Sequence, residues 1–420
     1  MREAGFLTGM KPAQTSPPRL ASTEPLRLLH FISEPRSWHF FDGQPAYFGG
    51  HGFEYHAASS PGPLLEDYGA ANQIAVHPIA VDRQLAVLHD LVAVFRLLKI
   101  IREVRPQILH AHFSKPGIIG MVAGFLARTP VRIYSNHGMA LSSARGLKRA
   151  LLWCVERIAC LLAHQVIYVA PSVLGEAAKT GVCSQPKARA ILSANGLDFE
   201  GRFNPRVYGG EWRTRGRHAL GIPVDGFVVG FVGRIFKTKG IEDLVRAWQL
   251  LANSEPRLHL VLVGNMEPRE PVSPWAQQAL RSENRIHLTG FVEEPATLYP
   301  VMDVLTLPSY HEGLGYSLLE AAAMQVPVIG TRIPGIVDAL QENINGLLVA
   351  PGNPPELAGA IERYLRDPAL ARAHGQAGRD FVMNRFRRAD VLDRIRETYI
   401  QLLQRRAPRG KPVWLETING

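Results

Sequence analysis

Two cations stand at a turn where a ligand carrying phosphate groups can bind. Arg234 and Lys239 lie five residues apart, after the β-rich run FVVGFVG (227–233), which ends at Gly233, and before a stretch with helical periodicity. Ligands of open α/β folds bind at the carboxyl ends of the parallel strands. Two fixed cations beside a helix N-terminus can neutralise a diphosphate without a metal ion. The spacing alone fits a solvated basic loop equally well.

A pair of carboxylates favours the ligand-binding interpretation. Glu312 lies in a Gly-rich loop after the strand-like run DVLTLP (303–308), and Glu320 lies inside the helical pattern that follows. Gly313 and Gly315 allow backbone N–H groups to approach a phosphate, and Glu320 is placed to bind vicinal ribose hydroxyls. Two glutamates near a helix are usually surface residues, but the flanking strand, the glycines and the apolar run AAAM (321–324) disfavour that here. The pattern predicts a nucleotide-sugar site.

The elements that must position these residues alternate between strands and helices. Strand-like runs separated by helical patterns predict βαβ units and parallel sheets, one in each half of the chain. They cover residues 26–32, 53–59, 73–79, 107–112, 131–136 and 165–170 in the first half, and 227–233, 258–264, 285–290, 303–308, 326–331 and 345–350 in the second. The resulting division is a flexible leader (1–25), a first α/β domain (26–205), a Pro- and Gly-rich linker (206–225), a second α/β domain (226–385) and a C-terminal helix and tail (386–420).

Composition and charge exclude several classes of protein. The 420 residues are 46% hydrophobic and 20% charged, which is typical of a globular protein, and no window has the 18 or so apolar residues of a spanning helix. The leader lacks an apolar core, and three cysteines without CxxC spacing favour reduced thiols, so we expect a cytoplasmic protein. No GxGxxG follows the first strand, which disfavours a dinucleotide-dependent oxidoreductase.

The formal charge of +10 is spread unevenly along the chain, and one segment of the first half is strongly basic. Residues 92–157 contain eleven Lys/Arg against Glu103 and Glu156 alone. No helix-turn-helix spacing, RNP-like aromatic run or zinc knuckle accompanies them, so nucleic acid is not the expected partner.

The helical pattern 144–164 has an apolar stripe, which we predict to pack on the sheet. The stripe consists of Leu147, Leu151, Val155, Ile158 and Leu162. Trp153, between Arg149 and Arg157, is predicted to lie on the opposite face of the helix. An exposed Trp beside cations fits an anionic membrane surface, although a solvated helix face fits as well.

These motifs together resemble the C-terminal domain of retaining family four glycosyltransferases, which have the GT-B fold of two Rossmann-like, doubly wound parallel-sheet domains facing a central cleft. The resemblance covers residues 226–370 and rests on VGRIFKTKG, LVLVG, IHLTGFVEEPATLYPVMDVLTLPSYHEGLGYSLLEAAAMQVPVIGT, PGIVDAL and NGLLVAPGNPPELA. More loosely, SWHFFDGQ, GFEYHAASSPG, VRPQILHAHFSKPGIIGMVAG, VRIYSNHG and NGLD are similar to the bacterial CapM-like polysaccharide-assembly group.

The resemblance implies a role for each matching residue. Arg234 and Lys239 would bind the donor diphosphate, Glu312 the hydroxyls of the donor sugar and Glu320 the ribose. His137 would lie near the donor sugar. The remaining donor-binding positions, which include the segment that would hold the base, are Gly233, Gly290, Phe291, Val292, Gly313, Leu314, Gly315 and Tyr316.

Three positions depart from the family pattern. Gly43 stands without a second glycine, Gly315-Tyr316 replaces a common Pro-Arg, and Gln325 stands where Gly is usual. The Gly315-Tyr316 change bears on the preference for the donor sugar.

The acceptor side is assigned to Gly43, His112 and Lys115, which we expect to face the cleft from the first domain. His110 and His112 lack a third ligand in the sequence, so a metal site is not favoured. No Asp-x-Asp motif accompanies the diphosphate site, so we expect transfer without a metal or another cofactor. The family implies a retaining reaction, with a UDP-sugar as donor and a lipid-linked or growing saccharide as acceptor, on the inner face of the membrane. A soluble acceptor and a non-catalytic sugar-nucleotide-binding subunit are the alternatives.

Overall fold

The computed structural model describes residues 24–82, 87–139, 141, 144–193, 195–268 and 270–406. Nearly all of the predicted leader and the last fourteen residues lie outside these ranges. Within them the chain folds into two α/β domains, each built on a parallel sheet. The predicted fold class is confirmed.

The first sheet has seven described strands in the order β3-β2-β1-β4-β5-β6-β7. Each predicted run of the first half forms one of them, and the sequence analysis missed only the short edge strand β7. The strands are β1 (Leu26–Phe31), β2 (Phe53–Ser59), β3 (Ala75–Pro78), β4 (Ile108–His112), β5 (Val131–Asn136), β6 (Gln165–Tyr168) and β7 (Ala188–Ala190).

The second sheet has six described strands in the order β10-β9-β8-β11-β12-β13. Its central strands read as continuous apolar runs because helices cover both faces of a parallel sheet. All six predicted runs are confirmed as β8 (Phe227–Val232), β9 (Leu258–Val263), β10 (Ile286–Gly290), β11 (Val304–Leu307), β12 (Val328–Thr331) and β13 (Gly346–Val349).

Helices connect the strands and cover the sheets. In the first domain they are α1 (Gln44–Gly49), α2 (Pro63–Asn72), α3 (Val87–Val104), α4 (Ser114–Leu126), α5 (Gly146–Leu162) and α6 (Pro171–Thr180). From the interdomain region onward they are α7 (Gly210–Ala219), α8 (Ile241–Ala252), α9 (Pro274–Ser282), α10 (Tyr316–Ala323), α11 (Ile336–Ala339), α12 (Pro354–Arg366), α13 (Pro368–Arg385) and α14 (Arg388–Arg406).

The predicted linker contains the helix α7, which packs on the second domain. Arg217 of this helix is only 2% exposed and donates to Asp303 Oδ2 at 2.6 Å and to the carbonyl oxygens of Val224 and Gly226, both at 2.7 Å. A buried guanidinium is tolerated when its N–H groups are paired in this way. The helix was not predicted because its sequence is rich in Gly and Arg and has no apolar stripe. It packs on the second domain through the hydrogen bonds of Arg217.

The C-terminal helix α14 returns to the first domain. Its residues Val391, Leu392, Ile395 and Tyr399 are buried against the core of the first sheet. The chain therefore crosses between the domains twice. The two crossings are hydrogen-bonded to each other, since Leu197 N donates to Phe386 O at 2.8 Å.

The prediction for the apolar stripe of α5 is wrong. Leu147 is 87% exposed, and Leu151 and Ile158 are also exposed, whereas Ala159 and Cys160 are buried. The small side chains of that face let the helix approach the sheet closely. The large apolar side chains consequently face outward. No helix in the described ranges is long and apolar enough to cross a membrane.

Candidate active site

The two predicted cation positions lie at the carboxyl end of β8. Gly240 turns the chain into α8 with φ +69°, and a Cβ there would lie 2.0 Å from Pro308 O, so only glycine fits. Lys239 just before it is hydrogen-bonded through Nζ to Glu312 Oε1. Ser309 Oγ donates to the same carboxylate oxygen at 2.8 Å. Tertiary structure therefore brings the predicted diphosphate ligand and the predicted sugar ligand into direct contact.

Arg234 lies in the same turn after β8 and has its own carboxylate partner. Its Nη1 is 3.2 Å from Glu267 Oε2, and its guanidinium lies 4.9 Å from the centre of the Phe236 ring. The sequence analysis did not single out Glu267. The available signal was its place four residues after the end of β9, at the same edge of the sheet as Arg234.

The Gly-rich donor loop touches the first domain across the cleft. A Cβ on Gly313 would lie 1.9 Å from His137 O, closer than any side chain permits. The predicted His137 turn and the predicted donor loop are thus in backbone contact. On the same loop, Leu314 is buried and α10 begins at Tyr316.

Tyr316 makes a second contact between the domains. Its hydroxyl lies 2.8 Å from Ser193 Oγ, and its ring centre is 5.4 Å from that of Phe40. Sequence reasoning found Tyr316 as a departure from the family pattern but missed its partners, which lie in the first domain. The departure at Gln325 also has a structural correlate, because its φ of +62° is in the left-handed region that favours glycine.

Glu320 is placed one turn into α10, as predicted, and accepts a hydrogen bond from Tyr299 Oη. Burial raises the pKa of Glu320 to about 7. The predicted base-binding segment lies after β10, where Phe291 N donates to Asn265 Oδ1 at 2.9 Å and the Phe291 ring is 69% exposed. Gly290 has φ +70°, and Val292 is partly buried against the core.

His137 lies behind the donor loop with its ring stacked on Phe113, the centres being 4.3 Å apart. Its Nε2 is 3.1 Å from His112 Nδ1. The prediction that His112 faces the cleft is wrong, because this side chain is only 2% exposed. The sequence showed no third possible metal ligand beside His110 and His112. In the structure His30 of β1 lies close to both, so that three ring nitrogens form one group.

The two other acceptor-side residues have polar neighbours of their own. Gly43 precedes α1 with φ +80°, and the Arg388 guanidinium packs on it, with Nη1 2.9 Å from where a Cβ would be. Lys115 Nζ lies 2.8 Å from Asp90 Oδ1 of α3. Gly43 therefore brings the start of α14 against the loop after β1.

With this geometry established, comparison with known proteins decides the family. The model described as Glycosyl transferases group 1 matches residues 213–381, and the one described as Glycosyltransferase Family 4 matches residues 47–199. The capsular polysaccharide biosynthesis glycosyltransferase CapM of Staphylococcus aureus is 27% identical over 380 residues, which are 90% of this chain and 98% of CapM. The chain belongs to the CapM-like GT-B glycosyltransferases.

Other relatives of this CapM-like glycosyltransferase agree with that assignment. The UDP-Gal:α-D-GlcNAc-diphosphoundecaprenol α-1,3-galactosyltransferase of Escherichia coli is 24% identical over 359 residues, covering 81% of this chain and 87% of its own. Anabaena HepE in complex with UDP-glucose superposes with a TM-score of 0.73 at 22% identity, over 89% of this chain and 99% of HepE. Sucrose-phosphate synthase from Thermosynechococcus elongatus gives the same TM-score at 20% identity, over 90% and 100% of the two chains. These structures show that the fold is GT-B.

Proposed function

We propose that this enzyme is a retaining glycosyltransferase that moves a sugar from a UDP-sugar to a lipid-linked or growing saccharide in cell-surface polysaccharide biosynthesis. The observation that carries the proposal is the contact of Lys239 with Glu312 at the edge of the second sheet, opposite His137. The named activities of CapM and of the E. coli galactosyltransferase support the polysaccharide pathway and the lipid-linked acceptor. HepE, which was crystallised with UDP and with UDP-glucose, supports the donor class.

The proposed chemistry begins with cleavage of the bond between the anomeric carbon and the diphosphate oxygen. Positive charge develops on the sugar and negative charge on the leaving diphosphate. Arg234 and Lys239 stabilise the diphosphate, while Glu312 orients the sugar through its hydroxyls. The diphosphate accepts the proton of the acceptor hydroxyl, whose oxygen bonds to the anomeric carbon from the same face. Bonds and protons then balance without an enzymic nucleophile.

Both cations hold carboxylates before the donor arrives. Lys239 contacts Glu312 and Arg234 contacts Glu267, so the diphosphate enters a site whose positive charge is already partly compensated. Binding therefore exchanges protein carboxylates for phosphate oxygens. The exchange releases Glu312 to bind sugar hydroxyls, which couples recognition of the diphosphate to recognition of the sugar.

An exposed apolar surface on the first domain supports a lipid-linked acceptor on the inner face of the membrane. The helix α4 packs between α3 and α5, and all three expose large apolar side chains. Large apolar side chains exposed on neighbouring helices favour an interaction site, and nearby cations favour anionic lipid. The apolar residues are Leu88, Leu91, Val92, Phe95, Phe125, Leu126, Leu147, Leu151, Trp153, Ile158 and Leu161, and the exposed cations include Arg96, Lys99, Arg102, Arg145, Lys148 and Arg149.

A transfer assay with matched acceptors tests the proposal. A panel of UDP-sugars is offered with a polyprenyl-diphosphate-linked sugar and, in parallel, with the same sugar as a soluble phosphate. We expect transfer to the lipid-linked form with the anomeric configuration of the donor preserved, as read by NMR of the product. Transfer to the soluble acceptor alone would support the soluble-acceptor alternative, and an inverted product would contradict the retaining mechanism. Donor binding without transfer to either acceptor would favour the non-catalytic alternative.

A further inference from the structure

A continuous chain of hydrogen-bonding side chains runs inward from His137. Its inner members are all buried, with exposures of 0 to 4%. They come from four elements, β1, β4, β5 and α14, that are far apart in the sequence. In order from the cleft, this histidine chain is His137, His112, His30, Tyr399, His110 and Ser135.

Strand register explains why the histidines meet. In the first sheet β1 lies next to β4, and His30 is aligned with His110. His110 and His112 are two residues apart and so share one face of β4. The helix α14 covers that face and brings the Tyr399 hydroxyl within reach of both His30 and His110.

Each link of the histidine chain is within hydrogen-bonding distance or close to it. In order, the links are His137 Nε2 to His112 Nδ1 at 3.1 Å, His112 Nε2 to His30 Nδ1 at 3.0 Å, His30 Nε2 to Tyr399 Oη at 3.3 Å, Tyr399 Oη to His110 Nδ1 at 2.6 Å, and His110 Nε2 to Ser135 Oγ at 2.6 Å.

The four imidazoles are neutral at physiological pH. Burial lowers the pKa of His30 and of His137 to about 3, and it lowers the pKa values of His110 and His112 well below the ordinary value. A neutral imidazole donates at one nitrogen and accepts at the other. The position of the proton on one ring therefore fixes its position on the next.

The same geometry argues against a metal ion among His30, His110 and His112. Both nitrogens of each ring already have a hydrogen-bonding partner within the histidine chain. A metal ion would have to break several of these hydrogen bonds. In the described part of the protein, no carboxylate is among the groups that influence the pKa values of these rings. A divalent charge would thus be buried without compensation.

Tyr399 gives the chain its direction. The phenol of Tyr399 is a stronger donor than the aliphatic hydroxyl of Ser135. Of the two contacts of Tyr399 Oη, the one to His110 Nδ1 is the shorter, at 2.6 Å against 3.3 Å for His30 Nε2. Tyr399 therefore donates to His110 Nδ1, and His110 donates through Nε2 to Ser135. The phenol oxygen accepts the Nε2–H of His30.

From Tyr399 the order of donors runs outward to the cleft. His30 Nδ1 accepts from His112 Nε2, and His112 Nδ1 accepts from His137 Nε2. His137 then carries its proton on Nε2 and a lone pair on Nδ1. We propose that Tyr399 acts as a positioning residue that fixes this tautomer, so that His137 presents Nδ1 as a hydrogen-bond acceptor to a sugar hydroxyl. The last step rests on the proposed function, whereas the tautomer does not.

NMR of the full chain, without any ligand, tests the tautomer. The histidines are labelled with ¹⁵N, and the resonances of His137 are assigned by their loss in His137→Gln. We expect an Nε2-protonated ring in the wild type and a mixed or Nδ1-protonated ring in Tyr399→Phe. The matched control is Tyr364→Phe, because Tyr364 is equally buried and bonds His374 Nδ1 at 2.7 Å in the second domain. The control should leave His137 unchanged.

Kinetics then connect the tautomer to the reaction. The release of UDP from UDP-glucose should slow about tenfold in Tyr399→Phe, with KM within about twofold, and should be unchanged in Tyr364→Phe. Because each variant removes one buried hydroxyl, thermal unfolding should show similar losses of stability in both. A slower reaction with an unchanged His137 tautomer would overturn the positioning role, as would an unchanged tautomer in all variants.

Zinc provides the remaining discriminating result. Stoichiometric Zn²⁺ added to the wild-type protein should leave the resonances of His30, His110 and His112 in place. Tight binding with shifts of these three rings would replace the histidine chain by a metal centre and overturn the proposal. If the tautomer is as expected but UDP-glucose is not turned over, the donor assignment fails and the histidine chain stands.

Discussion

Lys239 Nζ and Glu312 Oε1 are hydrogen-bonded to each other in the proposed donor site, although they are expected to bind different parts of the donor. We predict that Lys239→Ala and Glu312→Ala each reduce transfer about a hundredfold, since losing a charged contact in the transition state costs about 3 kcal/mol. The double variant should lose less than the product of the single effects, because the two side chains interact. Steady-state kinetics on a defined donor and acceptor measure all three.

Arg332 provides the matched control for this cycle, since it pairs with Glu342 at 2.7 Å on the exposed surface of the same domain. Arg332→Ala should transfer at the wild-type rate. Activity within a few-fold of wild type in Lys239→Ala or Glu312→Ala contradicts the site assignment.

Gly313→Ala should abolish donor binding or weaken it at least about tenfold. A Cβ at this position meets His137 O at 1.9 Å, so the donor loop and the His137 turn must separate. Isothermal calorimetry with UDP-glucose measures the loss. Gly359→Ala, in an exposed helical position with open space around the Cβ, should bind normally. Equal affinity in the two variants would show that this contact between the domains is dispensable.

The affinity for UDP-glucose should rise with pH through about 7. A ribose diol is best bound by an ionised carboxylate, and burial raises the pKa of Glu320 to about 7, so the carboxyl is mostly protonated at pH 6 and mostly ionised at pH 8. The ionised fraction then increases about tenfold over this range. UDP-glucose is the better probe than UDP, whose terminal phosphate itself titrates near pH 6. Glu320→Gln should bind weakly and without this pH dependence.

Transfer should continue in excess EDTA. We expect Arg234 and Lys239 to supply the positive charge at the diphosphate site, and the sequence lacks an Asp-x-Asp motif beside them. The rate is compared before and after chelation, with enzyme and buffers cleared of metal. Loss of activity that Mg²⁺ or Mn²⁺ restores would place the diphosphate on a metal ion instead.

Binding to anionic liposomes should have a salt-sensitive part and an apolar part. Charge reversal at Arg145, Lys148 and Arg149 should weaken binding at low ionic strength, since each cation contributes about 1 kcal/mol near an anionic surface. Leu147→Gln with Leu151→Gln should remove the binding that persists near 0.5 M salt. Co-sedimentation at several salt concentrations separates the two parts.

The control for the liposome experiment is charge reversal of three exposed cations on the second domain, Arg257, Arg281 and Arg372. It changes the net charge equally and should leave most of the binding intact. If the wild-type protein ignores anionic liposomes at every salt concentration, the soluble-acceptor alternative gains.

The strands of both sheets were predictable because parallel sheets that are covered on both faces require continuous apolar runs. The turn after β8 and the loop before α10 were recognisable because a strand end, glycines and charged residues occur together within short segments. That their residues bind the donor stays a prediction. Pairings across the cleft, such as Tyr316 with Ser193, were not predictable, since they depend on how the two domains meet.

The outward face of α5 shows a different limit of sequence reasoning. Helical periodicity identifies an apolar stripe but does not say what covers it. In α5 the side chains of Ala159 and Cys160 are buried instead, and Glu156 turns inward to accept a hydrogen bond from Tyr134 Oη at 2.9 Å. The histidine chain was missed for a related reason, because His30 and Tyr399 are separated by 369 residues.

The two chain segments that cross between the domains form a two-stranded hinge. The bond from Leu197 N to Phe386 O ties the outgoing and returning chains together, and Gly196 lies so close to Arg388 that a Cβ would be 2.6 Å from its Cα. A pair of bonded chains bends about one axis more easily than it twists, so the cleft should open and close like a door while the facing residues keep their alignment. A fragment that ends before residue 388 would lose the returning segment of the hinge together with the buried face of α14, and we expect its first domain to unfold.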